Sequence, residues 1–245
     1  MTGWRPTFAP FLVSVGTDPK IRTSIAMILK FRSTMLAAAA ALAGTVAASA
    51  HPHVFAEARL DVVLNPDNTV KSLRHLWRFD DLFSSTVVME FDKNADQKLD
   101  DEELAEVSKT VFESIGEYNY FQVVTADGKD VAMKPPANLM ANFDDQQLII
   151  LFETEPKEPL QLAGKLDFGV YDPTFYTAID FTEDTNMAVS NLPASCTRQV
   201  IRPDPDEAIA QNQASLTDAF FTDPAGTDMS KIFATKLELT CQAKG

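Results

Sequence analysis

The amino-acid sequence predicts an α+β fold: a mainly antiparallel β domain with a helix–loop–helix insertion and one late C-terminal helix. Three observations lead there. From Val54 onward, short apolar segments alternate with polar residues and are punctuated by Asn, Asp, Gly and Pro turn signals. The period changes from two to about 3.6 across residues 81–116, on either side of an acidic loop. Pro203 and Pro205 then open a third helical pattern ahead of a last alternating run.

Taken in order, Val54 to Leu64 (VFAEARLDVVL) alternates and is a strand, with Phe55 and Val63 among its apolar residues. Asn65-Pro66-Asp67-Asn68 is a turn by composition, and Val70 to Phe79 is the strand that returns from it. A hairpin turning at Pro66-Asp67 sets Ala58 opposite His75 and His53 opposite Asp80. Helical patterns follow over Asp81–Phe91 and from Asp101 to about Ile115. Phe121–Val124 runs into a hairpin turn at Asp127-Gly128 that leads to Val131. Further strands are expected at Leu139–Phe143, Leu148–Thr154, Gln161–Val170, Phe175–Phe181 and Thr197–Ile201. The late helix spans about Asp206 to Phe220. The last strand, Ile232 to Cys241, places Phe233, Thr235, Leu237, Leu239 and Cys241 on one face.

The N-terminus has its own logic. Lys30-Phe31-Arg32, the apolar run Met35 to Ala48, and Ala48-Ser49-Ala50 have the form of a basic n-region, an h-region and an A-x-A cleavage site. Residues 27–50 are therefore expected to be a signal peptide, and residues 1–26, which suit neither a signal nor a domain, a gene-model artefact before a start at Met27. Cleavage after Ala50 leaves residues 51–245 as a single periplasmic domain with an EF-hand-like insertion at 81–116. No later segment approaches twenty apolar residues, so no direct membrane insertion is expected after cleavage.

Charge narrows the partners. The whole chain carries a net −14. The first 50 residues hold five of its 21 Lys/Arg and one of its 35 Asp/Glu, so residues 51–245 have 16 basic and 34 acidic side chains, a net −18. Such a surface disfavours nucleic acid and attracts cations. Two cysteines, Cys196 and Cys241, both follow the signal, and an even count in an exported chain points to a disulfide between them.

Two segments carry metal chemistry. The loop from Asp92 to Glu103 aligns with a twelve-residue calcium loop: Asp92, Asn94 and Asp96 at positions 1, 3 and 5, the Lys98 carbonyl at 7, Asp100 at 9 and Glu103 at 12. Calcium needs such an array of hard oxygens closed by a bidentate carboxylate from the exiting helix. Gln97 departs from the glycine usual at position 6. The plainer alternative is an acidic turn in which Asp100 and Glu103 form a capping box. The second segment is His51-Pro52-His53. Cleavage after Ala50 would put an α-amine and an imidazole on His51 with a second imidazole at His53, on the same side of an extended chain. With Asp80 and Asp81 brought alongside by the hairpin, this donor set suits zinc, nickel, cobalt or copper. The alternative is that the tripeptide only stiffens the start of the strand. His75, about 17 Å further along, is left out of the centre.

Signals for catalysis are thin. There is no G-x-S-x-G, H-E-x-x-H or glycine-rich phosphate loop, and three histidines do not readily make a triad. The expectation is a protein that is not an enzyme. The turn Tyr171–Tyr176 is read as aromatic packing on the core, with a binding lip as the alternative.

HPHVF after a signal, LRHLWRFDDLFS, the calcium-type insertion and YDPTFYTAIDF together resemble domain-of-unknown-function family 1007 over nearly all of residues 51–245. These are bacterial periplasmic proteins often labelled as a component of a transport system, commonly associated with nickel/cobalt-type permeases, some implicated in zinc acquisition. The resemblance implies a metal-handling partner of a membrane metal permease, with His51 and His53 as the residues carried over and zinc, nickel or cobalt as the ion. Two rival functions remain open at this point: an exported copper enzyme built on an N-terminal histidine brace, which needs a third imidazole, and a calcium-dependent interaction domain.

Overall fold

The computed structural model describes residues 52–217 and 229–242. The expected leader and signal segments, His51 and the far end of the expected late helix lie outside the described residues. The described chain is mixed α and β with antiparallel pairing dominant. Two sheets are built from strands β1 (Val54–Leu64), β2 (Thr69–Phe79), β3 (Gln122–Ala126), β4 (Lys129–Asp130), β5 (Leu139–Asp144), β6 (Gln147–Thr154), β7 (Leu160–Gln161), β8 (Gly164–Val170), β9 (Thr177–Asp180), β10 (Met187–Val189), β11 (Cys196–Ile201) and β12 (Lys236–Cys241). One sheet runs β10-β1-β2-β6-β5, with β7 also on β2 and β9 also on β1; the other runs β11-β12-β8-β3-β4. A single apolar cluster joins their inward faces, with Leu60, Ile150, Leu166, Phe168, Leu237 and Leu239 fully buried.

Alternation does this work. In β1 the even-numbered residues Val54, Ala56, Ala58, Leu60 and Val62 are buried, while Phe55 lies half-exposed on the opposite face. The hairpin register departs from expectation by two residues: Ala58 opposes Trp77 and Leu60 opposes His75. The connection is a three-residue loop closed by Asn65 N–H to Thr69 O at 2.9 Å, with Asn68 in the left-handed region at φ 65°. A bulge between Val63 and Leu64 supplies the second residue of shift.

Helices α1 (Asp81–Phe91) and α2 (Asp101–Gly116) occupy the expected positions. Buried Ser84 of α1 accepts from Leu148 N–H, and Ser108 of α2 accepts from Ala141 N–H, so each helix satisfies a strand amide that sheet pairing leaves over. Three expectations need correction. The run Gln161–Val170 is not one strand but β7 and β8 in different sheets, because Gly164 turns the chain at φ 67°. A Cβ there would collide with the Asp127 carboxylate and the positive φ would strain it, so glycine suits this corner. The late helix is shorter: α3 spans Pro205–Asn212, capped by Asp204. The C-terminal strand begins at Lys236, after a 3-10 turn over Ser230–Phe233 that sets Phe233 against Phe175.

Cys196 and Cys241 sit directly opposite on β11 and β12 and form a disulfide. With a sequence separation of 45, closure of that loop contributes about 4 kcal/mol in the chain-entropy account. Among the described residues no helix is long and apolar enough to cross a membrane.

Candidate metal centres

His53 is exposed at the entry to β1. Its amide and that of Val54 both donate to the Tyr176 carbonyl, at 2.9 and 3.2 Å, and its ring leans on the Tyr176 ring at 5.2 Å. Parallel pairing of Val54–Glu57 with β9 then continues the contact. The aromatic turn is thus divided: Asp172, buried, accepts from Thr174 and Thr177 amides and holds the loop, while Tyr176 is half-exposed beside His53.

The hairpin register sets the expected carboxylates differently against the strand. Asp80 stands opposite Phe55 instead, because of the shifted register, and its two oxygens are committed. Oδ2 accepts from Phe55 N–H and Oδ1 from Phe83 N–H, both at 2.9 Å, which caps α1 and ties it to β1. Asp81 accepts from the Gln147 side chain. His53 supplies an imidazole at this end of β1, and His51 lies outside the described residues. His75 lies opposite Leu60, seven residues beyond His53, and is 3% exposed.

The outward faces of β1 and β9 border a cleft of about 340 Å³, lined by Phe55, Glu57, Arg78, Asp80 and Asp180 among others. Glu57 and Asp180 are cross-strand neighbours there, which adds negative potential to the face on which the histidine lies.

In the acidic loop, Asp92 accepts from Asp96 and Gln97 amides at 3.2 and 2.7 Å. Asn94 accepts from the Asp96 amide and Asp96 from the Lys98 amide, both at 2.9 Å. Ala95 and Gln97 adopt left-handed backbones, at φ 60° and 65°. These turns wrap the first half of the loop around its own side-chain oxygens. The second half serves the helix. Asp100 caps α2, and the buried Glu103 carboxylate accepts from Lys93 and Asp100 amides at 2.7 and 2.9 Å, completing the capping box. Among the described residues no three His, Cys, Asp or Glu side chains are gathered as a ready-made ion cage.

Residues 36–241 match the model described as "Protein of unknown function (DUF1007)", and the chain belongs to that family. It is similar to an uncharacterized protein of Haemophilus influenzae, 24% identical over 195 residues covering 79% of this chain and 92% of that one. It is also similar to an uncharacterized 15.5 kDa protein in the trpE 3′ region of Spirochaeta aurantia, 26% identical over 136 residues, 56% of this chain and 97% of that one.

Proposed function

We propose that this chain is an exported accessory protein of a divalent transition-metal transport system, working in the periplasm with a membrane permease. It is a binding protein rather than an enzyme, and His51 and His53 hold zinc, nickel or cobalt. The observation that carries this is the seat of His53. Its backbone is pinned to the Tyr176 carbonyl at the edge of a sheet, while its ring stays exposed on an acidic face. A mature terminus at His51 would add an imidazole and an amine two residues away, so a rigid strand end would present the donors to solvent and to a partner. The disulfide suits an oxidising compartment. The copper-brace alternative loses support, since the third histidine is enclosed between the sheets.

A second ion is proposed for the acidic loop. The successive side-chain turns at Asp92, Asn94 and Asp96 and the left-handed backbone at Ala95 and Gln97 favour calcium, with Glu103 turning from its cap to close the site. The test uses protein recovered from the periplasm after native export. Intact mass should show a start at His51. Elemental analysis should show close to one equivalent of zinc, nickel or cobalt, lost in His51→Ala/His53→Ala. Calcium alone, unchanged by that double substitution, would refute the terminal centre.

A further inference from the structure

A second cleft, of about 480 Å³, opens where α2 gives way to β3, and its wall is built at a conformational cost. Asn119, Tyr120 and Phe121 are three consecutive non-glycine residues in the left-handed region, at φ 51°, 54° and 57°. Such a backbone is unfavourable for a residue with a side chain, and conformations of this kind persist where the surroundings over-determine them, often at ligand clamps. Here Tyr120 and Phe121 are anchored by burial, and the Asn119 side chain donates to the Gln122 carbonyl at 2.9 Å.

The turn delivers Gln122, which lines the cleft yet is 3% exposed. Its side chain turns inward, with Oε1 accepting from Thr154 and the amide beside the buried His75 ring.

The charges are the other half of the site. In a chain of net −14, two lysines line this one cleft, with two carboxylates, Glu117 and Asp130. Lys231 meets Asp130 loosely, at 3.7 Å, and among the described residues Lys157 has no carboxylate within ion-pair distance. The volume lies in the range of small-molecule sites. Tyr118 and Tyr171 add phenol groups and Met133 an apolar patch.

We propose that this cleft binds a small zwitterion of the α-amino acid or dipeptide class. Its carboxylate is held by Lys157 and Lys231, and its ammonium by Glu117 and Asp130. This does not rest on the terminal metal centre and stands or falls separately from it.

Isothermal titration calorimetry of the exported protein tests it, with L-glutamine and glycylglycine as probes. Succinate and 1,4-diaminobutane serve as the doubly anionic and doubly cationic controls. At least one zwitterion should bind saturably and more tightly than either control. Lys157→Met should weaken it by about tenfold or more, and Lys134→Met, whose lysine pairs with Glu155 elsewhere, should leave it unchanged. Lys157 is exposed, so its replacement spares the fold, and the thermal unfolding midpoint of each variant verifies this. Failure of both probes to bind, succinate binding as well as they do, or full retention of affinity in Lys157→Met would each overturn the proposal.

Discussion

Lowering the pH should destabilise this protein through one side chain, His75. It lies between the sheets, 3% exposed, stacked on Phe152 at 4.4 Å and edge-on to Trp77 at 6.3 Å. Burial drives its pKa from 6.5 down to about 3; the nearby Gln122 amide opposes the shift, although neither ring nitrogen has a partner in hydrogen-bond geometry. The folded state therefore keeps the ring neutral while the unfolded chain takes up a proton below about pH 6.5. The stability is fully present above pH 6.5 and is lost as the pH falls toward 3. Linkage with these two values gives a loss of about 1 kcal/mol at pH 5.5 and about 3 kcal/mol at pH 4.5. Urea unfolding of wild type and His75→Phe across that range is the assay, since phenylalanine keeps an aromatic ring there and removes the proton. The wild-type curve should fall more steeply by those amounts. Parallel curves would refute the reasoning, because they would mean that His75 titrates alike in both states.

Two further outcomes are expected. Asp80→Ala removes the cap of α1 and the acceptor for Phe55 N–H together, so it should cost about 2–3 kcal/mol in urea unfolding. Bound transition metal per folded molecule should stay unchanged, and loss of metal without loss of stability would return Asp80 to the ligand set. Gln97→Gly relieves a left-handed side chain at φ 65°, worth about 1 kcal/mol, and should tighten calcium binding by calorimetry about fivefold. Unchanged or weaker binding would show that this backbone is not what limits the loop.

Local pattern made much of the fold legible. The period-two alternation in β1 determined which face is buried, and the Asp100/Glu103 spacing marked the start of α2 to the residue. Having only two cysteines left one intramolecular pairing. These features depend on neighbours within a few residues, where side-chain direction follows from backbone geometry. The sites were less legible for the same reason. Shifting β2 by two residues keeps every side chain on its face, so alternation could not distinguish Asp80 opposite His53 from Asp80 opposite Phe55. That choice belonged to the left-handed Asn68 and the bulge beside Leu64. Tertiary structure also decided that Gly164 moves the chain between sheets, and that β10 pairs in parallel on the same edge of β1 as β9. It enclosed His75 and Gln122 between two sheets distant in sequence, where their polar atoms meet few partners. Local patterning set the faces of the long strands and the start of α2; contacts across tens of residues, set by turn geometry and packing, decided where strands break and which side chains share a site.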